Sequence, residues 1–293
     1  MNATEGRVPR GALRDFVLRP SRAVAGTISG LSVPQRLRQV ALEGLRLVGV
    51  GYAASLLLLL PAGAASLALH LSVAKSNLLM QSPLLRSPLA LLLIALAATM
   101  EECVFRGFLS ARRFGVALLW MALPFFGALV AVRMLDFTPS LTQRLLAFAA
   151  AFVIGYLAWP LYGRATAAFI ERHFRGLVWL SALVFGLAHI SNYQSDALSP
   201  WWIHPLFVLP QMGLGLLLAY VRTRYGLPGS IVVHFLFDAL LVLVMITKAQ
   251  HWTLLAVPLG LLVFGLLLWG LVTLTLEIFG PSKPTPDRTR SPE

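Results

Sequence analysis

From about residue 46 to residue 277 the chain alternates long apolar runs with short polar interruptions. The runs lie at roughly 46–69, 88–108, 114–132, 144–163, 176–193, 205–221, 228–247 and 252–277. Each approaches the ~20 residues that an α-helix needs to cross a bilayer. The pattern predicts an all-α polytopic transmembrane helix bundle of about eight spans, occupying 46–278. Between the fifth and sixth runs, "SNYQSDALSPWWIHP" reads as a polar, Trp-rich interfacial loop, and Pro228-Gly229 marks the start of the seventh helix. Residues 1–45 form a basic N-terminal segment without a long apolar run, and "VPQRLRQVALEGLRL" reads as a short amphipathic helix on the membrane surface. The Pro-rich, charged tail 279–293 is expected to be disordered. The small residues of "GVGYAAS" and "PAGAAS" predict close helix packing.

Composition strengthens this picture. The 293 residues are 58% hydrophobic and 12% charged, against about 25% charged in a soluble domain, and mean hydropathy is +0.78. The net charge of +12 does not point to nucleic acid, because the basic residues sit in the tails and between apolar runs. Nineteen of the 24 Lys and Arg fall on one side of the eight-span topology, including Arg7, Arg22, Arg112, Arg172 and Lys283. Lys75, Arg86, Arg133, Arg144 and Lys248 fall on the other. That bias places both termini in the cytoplasm. The first long apolar run starts too late for a cleavable signal and reads as an uncleaved anchor. The single Cys103 excludes an intrachain disulfide.

The informative residues are those that lipid should forbid. Well inside the spans, few ionisable groups remain: Glu101, Glu102, Arg106, His189, His234 and Asp238. A charge at a helix centre costs roughly 2.5–3.5 kcal/mol on insertion scales, so such residues face a bundle interior and act there. In "MEECVFRGFL", Glu102 and Arg106 are four apart and can pair on one helix face. Glu101 is rotated about 100° from Glu102, which leaves it free to face a cavity. "FGLAHI" sets Phe185 four before His189, and "HFLFD" sets His234 four before Asp238. Acids and imidazoles from three helices are the ingredients for activating water, with or without a metal.

Other readings compete at each position. The Glu101/Glu102/Arg106 group alone fits a structural ion cluster equally well, His189 alone an interhelical hydrogen bond, and His234 with Asp238 a self-satisfied pair. Phe185 reads as packing. Cys103, in apolar surroundings, reads as inert. His70, His173, His204 and His251 fall at loop or interface positions, and Trp201, Trp202 and Trp252 read as interface anchors.

The three motifs, Glu101-Glu102-x-x-x-Arg106, Phe185-x-x-x-His189 and His234-x-x-x-Asp238, come in this order across about 88–247. Together they resemble the signature of the CPBP (CaaX protease and bacteriocin-processing, or Abi) family, which includes the type II CaaX prenyl endopeptidase. The resemblance implies a glutamate-type intramembrane endopeptidase, often described as a metalloprotease. It implies Glu101 as activator of the water and His189 and His234 as its polarisers or as metal ligands. Asp238 would support the oxyanion, and Glu102 and Arg106 would hold the architecture. A zinc ion held by Glu101, His189 and His234 is one expectation and a metal-free site the other, since HExxH is absent. The implied substrate is a membrane-anchored or lipidated protein within the bilayer. The Arg-, Ala- and Leu-rich composition points to a bacterial inner membrane. A non-catalytic scaffold or immunity protein of the same family, and a proton-coupled transporter, are the alternatives.

On the eight-span boundaries Glu101 and His234 lie toward the cytoplasmic side, whereas His189 lies toward the far side.

Overall fold

A computed structural model describes residues 12–21, 33–68, 73–74, 89–110, 114–122, 140–189, 194–195, 204–249 and 253–279. The described residues are almost wholly helical. In chain order they form α1 (Ala12–Leu18), α2 (Val33–Ala68), β1 (Val73–Ala74) and α3 (Leu89–Arg106). A 3₁₀ turn (Gly107–Ser110) follows directly on α3, and α4 covers 114–122. Next come α5 (Leu141–Arg172), α6 (Phe174–Ala188), β2 (Gln194–Ser195), α7 (His204–Ala249) and α8 (Thr253–Phe279). The only strand pairing among the described residues is the two-residue antiparallel contact of β1 with β2, Val73 opposite Ser195.

Local chemistry sets the helix ends where it is visible. Ser140 caps α5 with a capping box: its Oγ accepts from the Gln143 amide, and Gln143 Oε1 accepts from the Ser140 amide. Prolines lie inside α2, α5, α7 and α8 (Pro61, Pro160, Pro210, Pro228 and Pro258). Neighbouring helices tolerate such residues in membrane spans.

α7 is the hub. Its hydrogen bonding runs from His204 to Ala249, but Gly226 breaks it with φ 81° and ψ −179°. The chain reverses there. Gly51 of α2 faces the side chains of both Leu217 and Phe237, which lie twenty residues apart and on opposite sides of the break. The two halves of α7 are therefore antiparallel neighbours, as the separate sixth and seventh runs predict. Around them α2, α3, α6 and α8 pack a core that includes Leu47, Val48, Phe105, Phe185, Leu218, Tyr220, Val233 and Phe237. α8 crosses α2 with backbones in contact, so closely that a Cβ on Gly270 would fall against the Gly49 carbonyl.

The outward surface is apolar. Val153, Ile154, Leu157 and Leu161 of α5 and Leu254, Leu261 and Phe279 of α8 are exposed. Among the described residues three helical stretches are long and apolar enough to cross a membrane: Ala41–Ala65, Leu206–Val244 and Leu254–Phe279. Exposed leucines at that density belong in lipid, and the protein is an integral membrane protein.

Three expectations change. "VPQRLRQVALEGLRL" is not a separate surface helix: it is the start of the continuous α2, because no break residue interrupts residues 33–60. Within the basic lead, α1 is part of the bundle. Leu13 and Phe16 are buried, Phe16 meets Tyr220 edge-on at 5.4 Å, and Glu277 accepts from the Leu13 amide. The fifth run ends as a helix at Ala188, with His189 as its C-cap. The third run is described only through 122, and the tail from 280 onward and most of the Trp-rich loop lie outside the described residues.

Candidate active site

Three helices carry the polar residues. On α3 the apolar face Ala90, Ile94 and Ala98 is buried, and the next turns of that face bring Glu102, Phe105 and Arg106 into the interior. Glu102 and Arg106 are both fully buried and form a hydrogen-bonded ion pair. The Arg106 guanidinium also lies 4.2 Å from the centre of the Phe185 ring. Glu101 points away from that pair, with its side chain about one-third exposed.

α6 delivers His189. Its 15 residues span only about 22 Å, so its end stops inside the bundle beside Glu101. This answers the depth mismatch: a helix that ends at Ala188 brings His189 to the level of Glu101 and His234. His189 Nδ1 lies 2.7 Å from the Phe185 carbonyl. A carbonyl only accepts, so Nδ1 carries the proton, and the Nε2 of the neutral ring presents a lone pair.

The second half of α7 delivers His234 and Asp238. His234 is buried, and its Nδ1 donates to Glu102 Oε1 at 2.9 Å. Its Nε2 lies 3.4 Å from Asp238 Oδ2. Glu102 thus serves two partners, Arg106 and His234. A carboxylate behind an imidazole fixes its orientation and tautomer.

The centre of the site is Glu101 Oε2, which lies 3.7 Å from Nε2 of His189 and 3.7 Å from Nε2 of His234. Both separations exceed direct hydrogen-bond length and suit a bridging water. Oε2 is shielded from solvent and has no hydrogen-bond partner within the protein. Phe185 forms the wall behind the site, meeting Phe105 edge-on at 5.3 Å, His189 at 4.5 Å and His234 at 5.8 Å.

All six sequence-predicted site residues therefore converge, and Phe185 packs among them. Cys103 is half-buried, and His173 is an exposed residue at the α5–α6 junction. Glu101, His189 and His234 are of the residue types that hold zinc. Among the described residues, however, no group of three or more His, Cys, Asp and Glu side chains is arranged to hold a metal ion.

The motifs do not reveal the residues that support the site from a distance. Ser181 Oγ donates to the Phe105 carbonyl at 2.6 Å, and Arg222 donates to the carbonyls of Arg106 at 3.1 Å and Gly107 at 2.9 Å. Tyr52 of α2 donates to the Phe237 carbonyl at 2.7 Å and stacks on the Phe237 ring at 4.6 Å. A hydroxyl or a guanidinium in an apolar run is the available signal, and it names no partner.

The interior of this helical membrane bundle thus sets one carboxylate against two oriented imidazoles. The family described as type II CAAX prenyl endopeptidase Rce1-like matches residues 83–240, more than half of the chain, and the chain belongs to that family of membrane proteases. The matched region encloses every site residue from Glu101 to Asp238. No curated protein and no solved structure matches the chain.

Proposed function

We propose that this protein is a glutamate-type intramembrane endopeptidase that cleaves a membrane-anchored or lipidated protein substrate with an activated water. The observation that carries the reading is the position of Glu101 Oε2, equidistant at 3.7 Å from the two imidazole Nε2 atoms. In this reading a water sits among the three groups. His189 Nε2 accepts one of its protons in a hydrogen bond and so aims its oxygen. Glu101 removes the other proton as the oxygen adds to the scissile carbonyl carbon. The C=O π-bond opens to an oxyanion. His234, with a carboxylate facing each nitrogen, holds a proton at both, and its Nε2–H donates to that oxyanion while Asp238 orients it. Glu101 then returns its proton to the leaving nitrogen as the C–N bond breaks. The proposed steps use protein side chains alone; Glu101, His189 and His234 would be the ligands if zinc were bound. Both termini are proposed to be cytoplasmic, with eight crossings in a bacterial inner membrane.

The test compares wild type with Glu101→Gln in liposomes, against a library of membrane-anchored peptides, with cleavage read by mass spectrometry. Cleavage that disappears in Glu101→Gln supports the reading. Cleavage that persists in the variant rejects Glu101 as the base and points to a different nucleophile or a contaminant, and a folded wild type that cleaves nothing rejects the peptidase reading and favours a scaffold.

A further inference from the structure

Helix α3 ends at Arg106, immediately after the glutamates that it carries. The last four carbonyls of a helix have no partner within it. In a membrane interior an unsatisfied carbonyl is costly, because no bulk water is at hand. Here three consecutive carbonyls, the last two of α3 and the first of the 3₁₀ turn, receive side chains from other helices. Ser181 of α6 donates to Phe105 at 2.6 Å. Arg222, in the first half of α7, donates through Nε to Arg106 at 3.1 Å and through Nη2 to Gly107 at 2.9 Å.

The two donors come from the two elements that carry the histidines. Ser181 lies eight residues before His189 on α6. Arg222 lies just before the reversal at Gly226, and His234 just after it. Ser181 and Arg222 are both buried. The Gly107 carbonyl is closely approached as well: a Cβ on Gly115 would fall against it.

We infer that Arg222 and Ser181 are positioning residues, a two-point clamp on the carbonyl end of α3 that sets Glu101 against His189 and His234. The clamp acts on a helix rather than on substrate. It rests on the peptidase reading only for its kinetic consequence, since the geometry stands by itself. A misplacement of about 1 Å costs on the order of a hundredfold in rate, so a clamp at this point governs turnover more than binding.

The experiment uses full-length protein in liposomes. In Arg222→Ala, kcat is expected to fall by about tenfold to a hundredfold, with KM within about twofold and a cooperative melt retained. Millimolar guanidinium is expected to restore part of the lost kcat, because it can bind the same carbonyls. Ser181→Ala is expected to show a smaller fall in kcat with the same unchanged KM. Wild-type kcat in Arg222→Ala overturns the inference, as does a loss in folded protein that guanidinium does not recover. Where Arg222→Ala does not fold, Ser181→Ala decides in the same way. A second readout needs no activity. With Cys103→Ser, a short bifunctional thiol reagent links Glu101→Cys to His234→Cys, and adding Arg222→Ala is expected to lower the yield several-fold. An unchanged yield overturns the clamp. A wild type that cleaves nothing, together with a lowered yield, removes the peptidase reading and leaves the clamp in place.

Discussion

Glu101 and Glu102 are neighbours in the chain with different surroundings, and their chemistry follows from that difference. Glu102 is fully buried between Arg106 and His234. Removing one partner from a buried ion pair leaves the other charge uncompensated, at a cost of about 3–5 kcal/mol. Arg106→Ala is therefore expected to lower the melting temperature sharply or to abolish accumulation in the membrane, as thermal denaturation in detergent would read. Glu101 has no such partner. Glu101→Gln is expected to leave the melt near wild type while cleavage falls by about 10²–10⁴-fold, the usual worth of a general base. In the proposed scheme excess zinc chelator leaves cleavage unchanged. A loss that added zinc restores would instead assign Glu101, His189 and His234 to a metal.

At the scale of the element, the critical features are where helices stop and reverse. Gly226 sits at φ 81°, ψ −179°, a conformation essentially restricted to glycine and costing roughly 1–3 kcal/mol for other residues. Gly226→Ala is expected to destabilise the bundle by that amount in a denaturation series. Its effect on turnover should exceed its effect on stability, because the reversal brings both Arg222 and His234 against α3. A second glycine acts by proximity. Gly270→Ala would press a methyl into the Gly49 carbonyl and force α8 away from α2. Overpacking of this kind costs typically 1–3 kcal/mol. Cleavage per folded molecule is expected to survive it, since the three motifs lie on α3, α6 and α7 rather than on the two helices that are pushed apart.

For the whole molecule, the family match ends near the site while the bundle does not. α1, α2 and α8 lie outside residues 83–240, yet they enclose α7. α1 is tied to α8 through Glu277 and to α6 through the Arg175 bond to the Leu18 carbonyl at 3.4 Å. Glu277 also pairs with Arg46 of α2 at 3.5 Å. A chain cut back to the matched region is therefore expected to lose its cooperative melt. The eight-crossing topology is checked by reporter fusions: both termini should report the cytoplasm, and a fusion after Lys248 the opposite side. Termini reporting opposite sides would rule out the even number of crossings.

The lipid environment, the helical class and the six polar residues were legible in the sequence, because an apolar run makes every charge within it conspicuous. The i,i+4 spacing was enough to pair Glu102 with Arg106 and to free Glu101, since both follow from helical rotation alone. The sequence could not show how deep His189 sits, because depth depends on where α6 ends against its neighbours. Nor could it show that α1 enters the core. A seven-residue helix is too short to carry a detectable periodic signal of its own, and its burial comes from Tyr220 and Glu277, more than 200 residues away. The clamp on α3 was hidden for the same reason: a carbonyl carries no side-chain identity, so its partner emerges only when helices distant in the chain are packed together. Local periodicity and charge thus determined which residues are the candidates for chemistry. Tertiary packing decided their distances, because angstrom-scale placement in a bundle is set by contacts between segments and not within them.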